Sequence, residues 1–227
     1  MSVRLEPATN YSREVARLFQ SSMCLGDPLP FPLKRIKQYE DLCIGWYLRS
    51  DAKYSVVAVV DHQVVGYVLI CDELKSLDRW VTTRSLRLIL IVCLMRAARL
   101  VDTQSWAFYR NRVRDARNAW SFRRTQTIWP NISVHMNIER QFRTGEVSLA
   151  LRNHIDEVCR VTGNDFWIGE VNAVGEKRAR ALSRVVGEVL SIRKNITMAE
   201  ATAQDVRLVT VMRKVNYDVP KEDALVS

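Results

Sequence analysis

The sequence predicts a mixed α/β fold. Three stretches carry that reading. "KYSVVAVVDHQVVGYVLICDE" (53–73) holds two β-branched runs joined at Asp61 to Gln63, the pattern of an antiparallel hairpin. "NISVHMNIERQFRTGEVSLALRNHIDEV" (131–158) passes from strand alternation through a glycine-bearing turn into Val147, Leu151, Ile155 and Val158 at helical spacing. Between them, residues 74–129 interleave arginines with apolar side chains over a helical length, ended by the proline of "WPN".

The remaining elements follow in order. A short apolar start at Val3 to Leu5 precedes a helix with Val15, Leu18, Phe19, Ser22 and Met23 on one side. "LGDPLPFP" stops it, and a second helix sets Ile36, Tyr39, Leu42, Cys43 and Trp46 on one stripe. After the strand, turn and helix unit come a strand at "DFWIGEV", a helix through Arg178, Leu182 and Val185 towards Val189, and a final strand at "RLVTVMRKV". There is no internal repeat, and the 227 residues, 48% hydrophobic, suffice for one domain (1–227) with a substantial core.

Composition narrows the function. The longest apolar run, Leu88 to Met95, has eight residues between Arg87 and Arg96, far short of a bilayer span. No membrane partner is therefore expected. The start "MSVRLEPATNY" lacks the apolar core of a secretory signal, so a cytoplasmic location is expected. Cys24, Cys43, Cys71, Cys93 and Cys159 form no CxxC pair and read as reduced core thiols. His62, His135 and His154 show no ligand spacing, so no metal site is expected. A formal charge of +9 implies attraction to an acidic partner or polyanion. The arginines of "FYRNRVRDARNAWSFRR" (108–124) suit nucleic acid, or a solvated helix face with Trp106, Val113 and Trp120 packed inward.

The turn before the third-quarter helix invites an anion. The first four N–H groups of a helix have no internal partner, and the aligned peptide dipoles add positive potential there. A sharp turn at Gly145 would converge the amides of Thr144, Gly145, Glu146, Val147 and Ser148 on a pyrophosphate, with Arg140 and Arg143 adding charge-assisted contacts. The same residues also fit an ordinary strand-to-helix loop whose glycine relieves strain.

The ordered set of motifs resembles the GCN5-related N-acetyltransferases (GNAT) from the first helix to Val215. "VVAVVDHQVVGYVLI" is similar to that family's central hairpin, with Gly66 in the usual place on the third strand. "HMNIERQFRTGEVSLAL" resembles its fourth strand, pyrophosphate loop and following helix, and "GEKRARALSRVVGE" its late helix, matching at Arg178, Ala179, Leu182 and Gly187. The resemblance implies a mixed, mostly antiparallel central sheet flanked by helices, with a helical insertion after the third core strand (about 74–129), acetyl-CoA or another acyl-CoA as cofactor, and a small-molecule or peptide amine as acceptor. It implies that Met136, Asn137 and Ile138 hold the pantetheine arm. It also implies a general base among His135, Glu139, Asp72 and Glu73, with His135 preferred, and an acceptor site near Asp27 and Phe31.

Two departures stand out. Phe142 and Val147 occupy positions where the family loop has Gln or Arg and Gly or Ala, so Val147 is expected to crowd the cofactor. Ser183 replaces the tyrosine that protonates the leaving thiolate in many members. Three readings follow: an N-acyltransferase using direct amine attack, a catalytically degenerate domain of the same fold, and a basic nucleic-acid-binding protein.

Overall fold

The computed structural model describes residues 2–49, 52–126, 130–143, 145–184 and 186–215. Seven strands form one open sheet: β1 (Arg4–Pro7), β2 (Val56–Val60), β3 (Gln63–Cys71), β4 (Ile132–Ile138), β5 (Phe166–Val174), β6 (Glu188–Lys194) and β7 (Val206–Lys214). Their order is β1-β2-β3-β4-β5-β7-β6, and β4–β5 is the parallel pair among antiparallel neighbours. The β2–β3 hairpin turns on Asp61 (φ 46°) and His62 (φ 64°), the left-handed pair that a two-residue hairpin loop needs to match strand twist.

Helices α1 (Ser12–Ser21), α2 (Ile36–Ile44), α3 (Leu74–Ala97), α4 (Thr103–Thr125) and α7 (Ile196–Thr202) belong to one face of the sheet. α5 (Gly145–Val161) and α6 (Glu176–Ala181) cover the other. Strand alternation builds the two layers. Tyr67, Leu69 and Cys71 of β3 point into the first, with Leu18, Phe19, Tyr39 and Phe108, while Val68 and Ile70 point into the second, with Val147, Leu151 and Ile155.

The expected insertion is a helical hairpin, α3 and α4. Its second helix is tied down by Asp115, whose carboxylate accepts from the amides of Ile196 (2.9 Å) and Thr197 (3.0 Å) and from the Thr197 hydroxyl (2.6 Å). Those amides are the orphan donors at the start of α7, so a buried anion there satisfies both the helix end and itself. Asn195 completes the cap by accepting from Met198 N–H at 3.1 Å.

Three expectations need correction. The late helix ends at Ala181 with a single 3-10 turn at Leu182–Arg184, and Val189 to Lys194 form β6 instead of continuing it. Val185 lies outside the described residues. Gly187 marks the change: an added Cβ would lie 2.5 Å from the Met212 carbonyl oxygen, so the backbone of β7 approaches too closely for any side chain. Trp120 is 62% exposed, not packed inward, while Trp106 and Val113 are half-buried. Cys93 is likewise exposed on α3 and is no core thiol.

Candidate functional site

β4 and β5 pair over three positions, Ile132↔Trp167, Ser133↔Ile168 and Val134↔Gly169, and then part. β4 continues to Ile138 against β3, and β5 continues to Val174 against β7. Each strand keeps its outer partner and loses its inner one. The facing edges from His135 and Glu170 onward therefore present backbone N–H and C=O groups that the sheet does not consume, a ladder available to an extended ligand.

The chain then turns through Arg140–Phe142 into α5, which opens at Gly145. Thr144 lies outside the described residues. Among the described residues, apart from its chain neighbours and the backbone of its own helix, no heavy atom stands within 4 Å of a Cβ built on Gly145, which is exposed, and its φ is not left-handed. The glycine thus leaves clear space at the helix N-terminus; it is not required by a sharp turn, as expected from sequence. Val147 is fully buried beside Leu151, so its side chain faces the core and does not crowd the helix end, contrary to expectation. Ser148 is half-buried and Glu146 exposed.

The two arginines of the turn differ. Arg140 is 80% exposed and approaches Asp27 at 3.8 Å, a loose pair of little energetic weight. Arg143 folds back, its Nε donating to the Ile138 carbonyl at 3.1 Å and its guanidinium lying over Gly26. Gly26 (φ 96°) and Leu25 (φ 59°) form the tight turn between Cys24 and Asp27, and a Cβ at Gly26 would meet Arg143 Nη2 at 2.5 Å. Asn137 donates to the Ser22 hydroxyl and Arg17 pairs with Glu139 at 3.8 Å, so the end of α1 is fastened to the end of β4. Met136, the residue before Asn137, is 40% exposed.

His135 packs against Tyr67 (5.6 Å between ring centroids) and Phe19 (6.1 Å), and its Nδ1 is buried with no hydrogen-bond partner among the described residues. Burial lowers its pKa to about 4. The ring is neutral at physiological pH, as a base must be, but it is a much weaker proton acceptor than an ordinary imidazole. Glu73 is exposed at the N-cap position of α3 without making a capping bond, beyond the end of β3 that adjoins the paired part of β4. Ser183 is exposed, its hydroxyl donating to the Arg180 carbonyl at 3.0 Å.

Glu170 was missed in the sequence. It is the first β5 residue beyond the paired stretch, as His135 is on β4, and strand alternation puts both on the face of Ser133 and Ile168. Its carboxylate accepts from Arg193 at 2.6 Å and retains about half of its side-chain exposure, 49%. A carboxylate interrupting the apolar run "FWIGEV" was the available signal. Asp27 and Phe31 diverge: Asp27 faces Arg140 in the turn before α5, whereas Phe31 lines a cavity of about 380 Å³ with Phe108, Asn111, Thr197 and Glu200. Among the described residues, no group of three or more His, Cys, Asp or Glu side chains could hold a metal ion.

No protein-family model matches the sequence, and no curated protein matches it. Solved structures do match in shape. Polyamine N-acetyltransferase of Drosophila melanogaster, which forms N-acetylagmatine, superposes with a TM-score of 0.54 at 11% identity, over 94% of this chain and 100% of that one. An agmatine N-acetyltransferase variant gives 0.53 at 12% identity, again over 94% and 100%. An N-acetyltransferase from Escherichia coli that acts on a ribosomal-protein alanine gives 0.50 at 10% identity, over 97% and 98%. With its open mixed sheet, its flanking helices and the parting of β4 from β5, the chain has the fold of the GCN5-related N-acetyltransferases.

Proposed function

We propose that the chain is an acyl-CoA-dependent N-acyltransferase in which an amine attacks the thioester directly in the opening between β4 and β5. The observation that carries the reading is the loss of pairing after Val134↔Gly169, which leaves two strand edges facing a shared space beside the N-terminus of a 17-residue helix. The residues present fit such a cofactor: the space at Gly145 is clear, Val147 is turned away, and Arg140 is exposed next to the helix end. Acyl-CoA, when bound, supplies the activated acyl group.

In this reading the backbone groups of Met136, Asn137 and Ile138 that face the opening, other than the Ile138 carbonyl held by Arg143, bind the pantetheine amides and orient the thioester carbonyl, which places the acyl carbon for attack. The amides at Gly145 to Ser148 and the Arg140 guanidinium bind the pyrophosphate. Arg143 positions the turn by holding Ile138 and the 24–27 loop together. An acceptor enters as its ammonium ion and must lose a proton before it attacks. Glu170 Oε, beside the point of divergence, is better suited than buried His135 to hold that cation and take the proton. The aromatic packing of Phe19, Tyr67 and His135 excludes water from the same face.

Calorimetric titration with acetyl-CoA, a longer acyl-CoA and free CoA tests the reading. Saturable binding is expected, weakened about tenfold or more in Gly145→Asp, because a carboxylate there opposes the phosphate charge. Failure to bind any of the three would sink the proposal. Ser183 favours a second reading, a domain that binds without transferring, since no phenol stands at its position. Release of CoA thiol on adding an amine panel would count against that alternative.

A further inference from the structure

The charge of the molecule is concentrated in one place. Residues 79–125, almost all of the α3–α4 hairpin, hold eleven arginines and no lysine against two aspartates, a net of +9. That is the formal charge of the whole chain, because the remaining residues carry 23 basic and 23 acidic side chains. Asp102 is exposed at the N-cap of α4, where it accepts from Ser105 N–H, Asp115 is buried under α7, and Asp41 and Asp78 pair with Arg84 and Arg123, so most of the arginines keep their charge uncompensated. Arg110, Arg114, Arg117 and Arg124 recur at spacings of four, three and seven, one exposed stripe of α4, and no acidic side chain among the described residues pairs with them.

The other helix carries an apolar stripe. Leu86 (65% exposed), Leu90 (60%) and Leu94 (62%) stand at i, i+4 and i+8 on α3, continued by Leu100 in the turn, with Cys93 exposed beside them. Arg79, Arg87 and Arg96 border the stripe, and Trp120 is exposed on α4 under the Arg124 guanidinium at 4.6 Å. A nucleic-acid backbone would satisfy the arginines and leave the leucines in water. A second copy would oppose two faces that each carry +9. An anionic bilayer surface satisfies both features: leucines enter the acyl boundary, while guanidinium groups bind lipid phosphates at the headgroups.

We propose that the α3–α4 hairpin docks on the surface of anionic lipid membranes. The sequence expectation of no membrane rested on the lack of a spanning segment, and no helix among the described residues is long and apolar enough to cross a bilayer. Surface docking needs no span. It is independent of acyl transfer, so the two can fail separately.

Flotation of the full chain with vesicles tests it, using phosphatidylcholine alone and phosphatidylcholine mixed with phosphatidylglycerol. Binding is expected to the mixed vesicles and not to the neutral ones. The double variant Leu90→Glu with Leu94→Glu should weaken it at least about tenfold, and Arg110→Glu with Arg117→Glu by a comparable factor that shrinks as salt rises. Both pairs are exposed, and unchanged thermal unfolding would confirm that the variants fold. A polarity-sensitive fluorophore on Cys93 should shift to the blue on the mixed vesicles. No binding to those vesicles at low salt would overturn the proposal. So would binding lost in the arginine variant but intact in the leucine variant with no shift at Cys93, the behaviour of a plain polyanion patch.

Discussion

His135 shows how burial converts a sequence cue into a different property. On a strand, a histidine near a cofactor reads as a base, but desolvation between Phe19 and Tyr67 lowers its pKa to about 4 from the ordinary 6.5 of an imidazole. The unfolded chain binds a proton between those values that the folded chain refuses. The resulting stability is present above pH 6.5 and is lost as the pH falls towards 4, by up to about 3 kcal/mol. Urea unfolding from pH 7 to 4 should show that decline, and His135→Gln should flatten it, leaving the smaller share of His154, also lowered by burial. An equal slope in the variant would contradict the assignment. Ser183 belongs to the same scale: if its hydroxyl, or a water on it, protonates the leaving thiolate, Ser183→Ala lowers turnover and leaves CoA affinity unchanged. The expected loss is modest, at or below the low end of the about 10²-fold to 10⁴-fold range, because a serine is a poor acid and this one already donates to Arg180. Turnover at saturating acyl-CoA checks it, and identical rates would remove Ser183 from the mechanism. Glu170 was legible only as a polar residue in a strand. Its importance comes from where β4 stops pairing, a tertiary property that periodicity does not carry.

At the level of elements, the hairpin, the long helical middle and the β4–turn–α5 unit were readable because each has a strong local period. β6 and α7 were not. "VVGEVLSIRK" has no clean alternation, and only the backbone contact of Gly187 with Met212 and the pairing of Val189 to Lys194 with β7 make it a strand. α7 has seven residues, too short to announce itself, and it depends on a distant carboxylate. Asp115→Ala should therefore strand the Ile196 and Thr197 donors and cost on the order of 2–3 kcal/mol. Thermal or urea unfolding of the variant measures this, and Asp115→Asn should recover part of it by keeping one acceptor. A loss in Asp115→Ala no larger than that of an exposed arginine variant would show that α7 does not need the contact.

Across the whole molecule, neutral and basic parts are segregated. The sheet with α1, α2 and α5 to α7 carries a balanced charge, while the inserted hairpin carries the excess and packs over α7 and the first face of the sheet. The common fold thus provides the opening between β4 and β5, and the insertion adds a second surface of different chemistry. The position of the insertion was legible from sequence, and so was the order of the strands before it. Which side chains of the insertion face water was not, because Trp120 reads as packed inward with Trp106 and Val113, whereas it is exposed. A crystal structure grown with an acyl-CoA tests directly whether the cofactor lies in the strand opening. Electron density is expected for the pantetheine arm between the edges of β4 and β5 beyond Val134 and Gly169, with the pyrophosphate at Gly145. Density for the cofactor at any other surface, with that opening filled by protein, would contradict that placement.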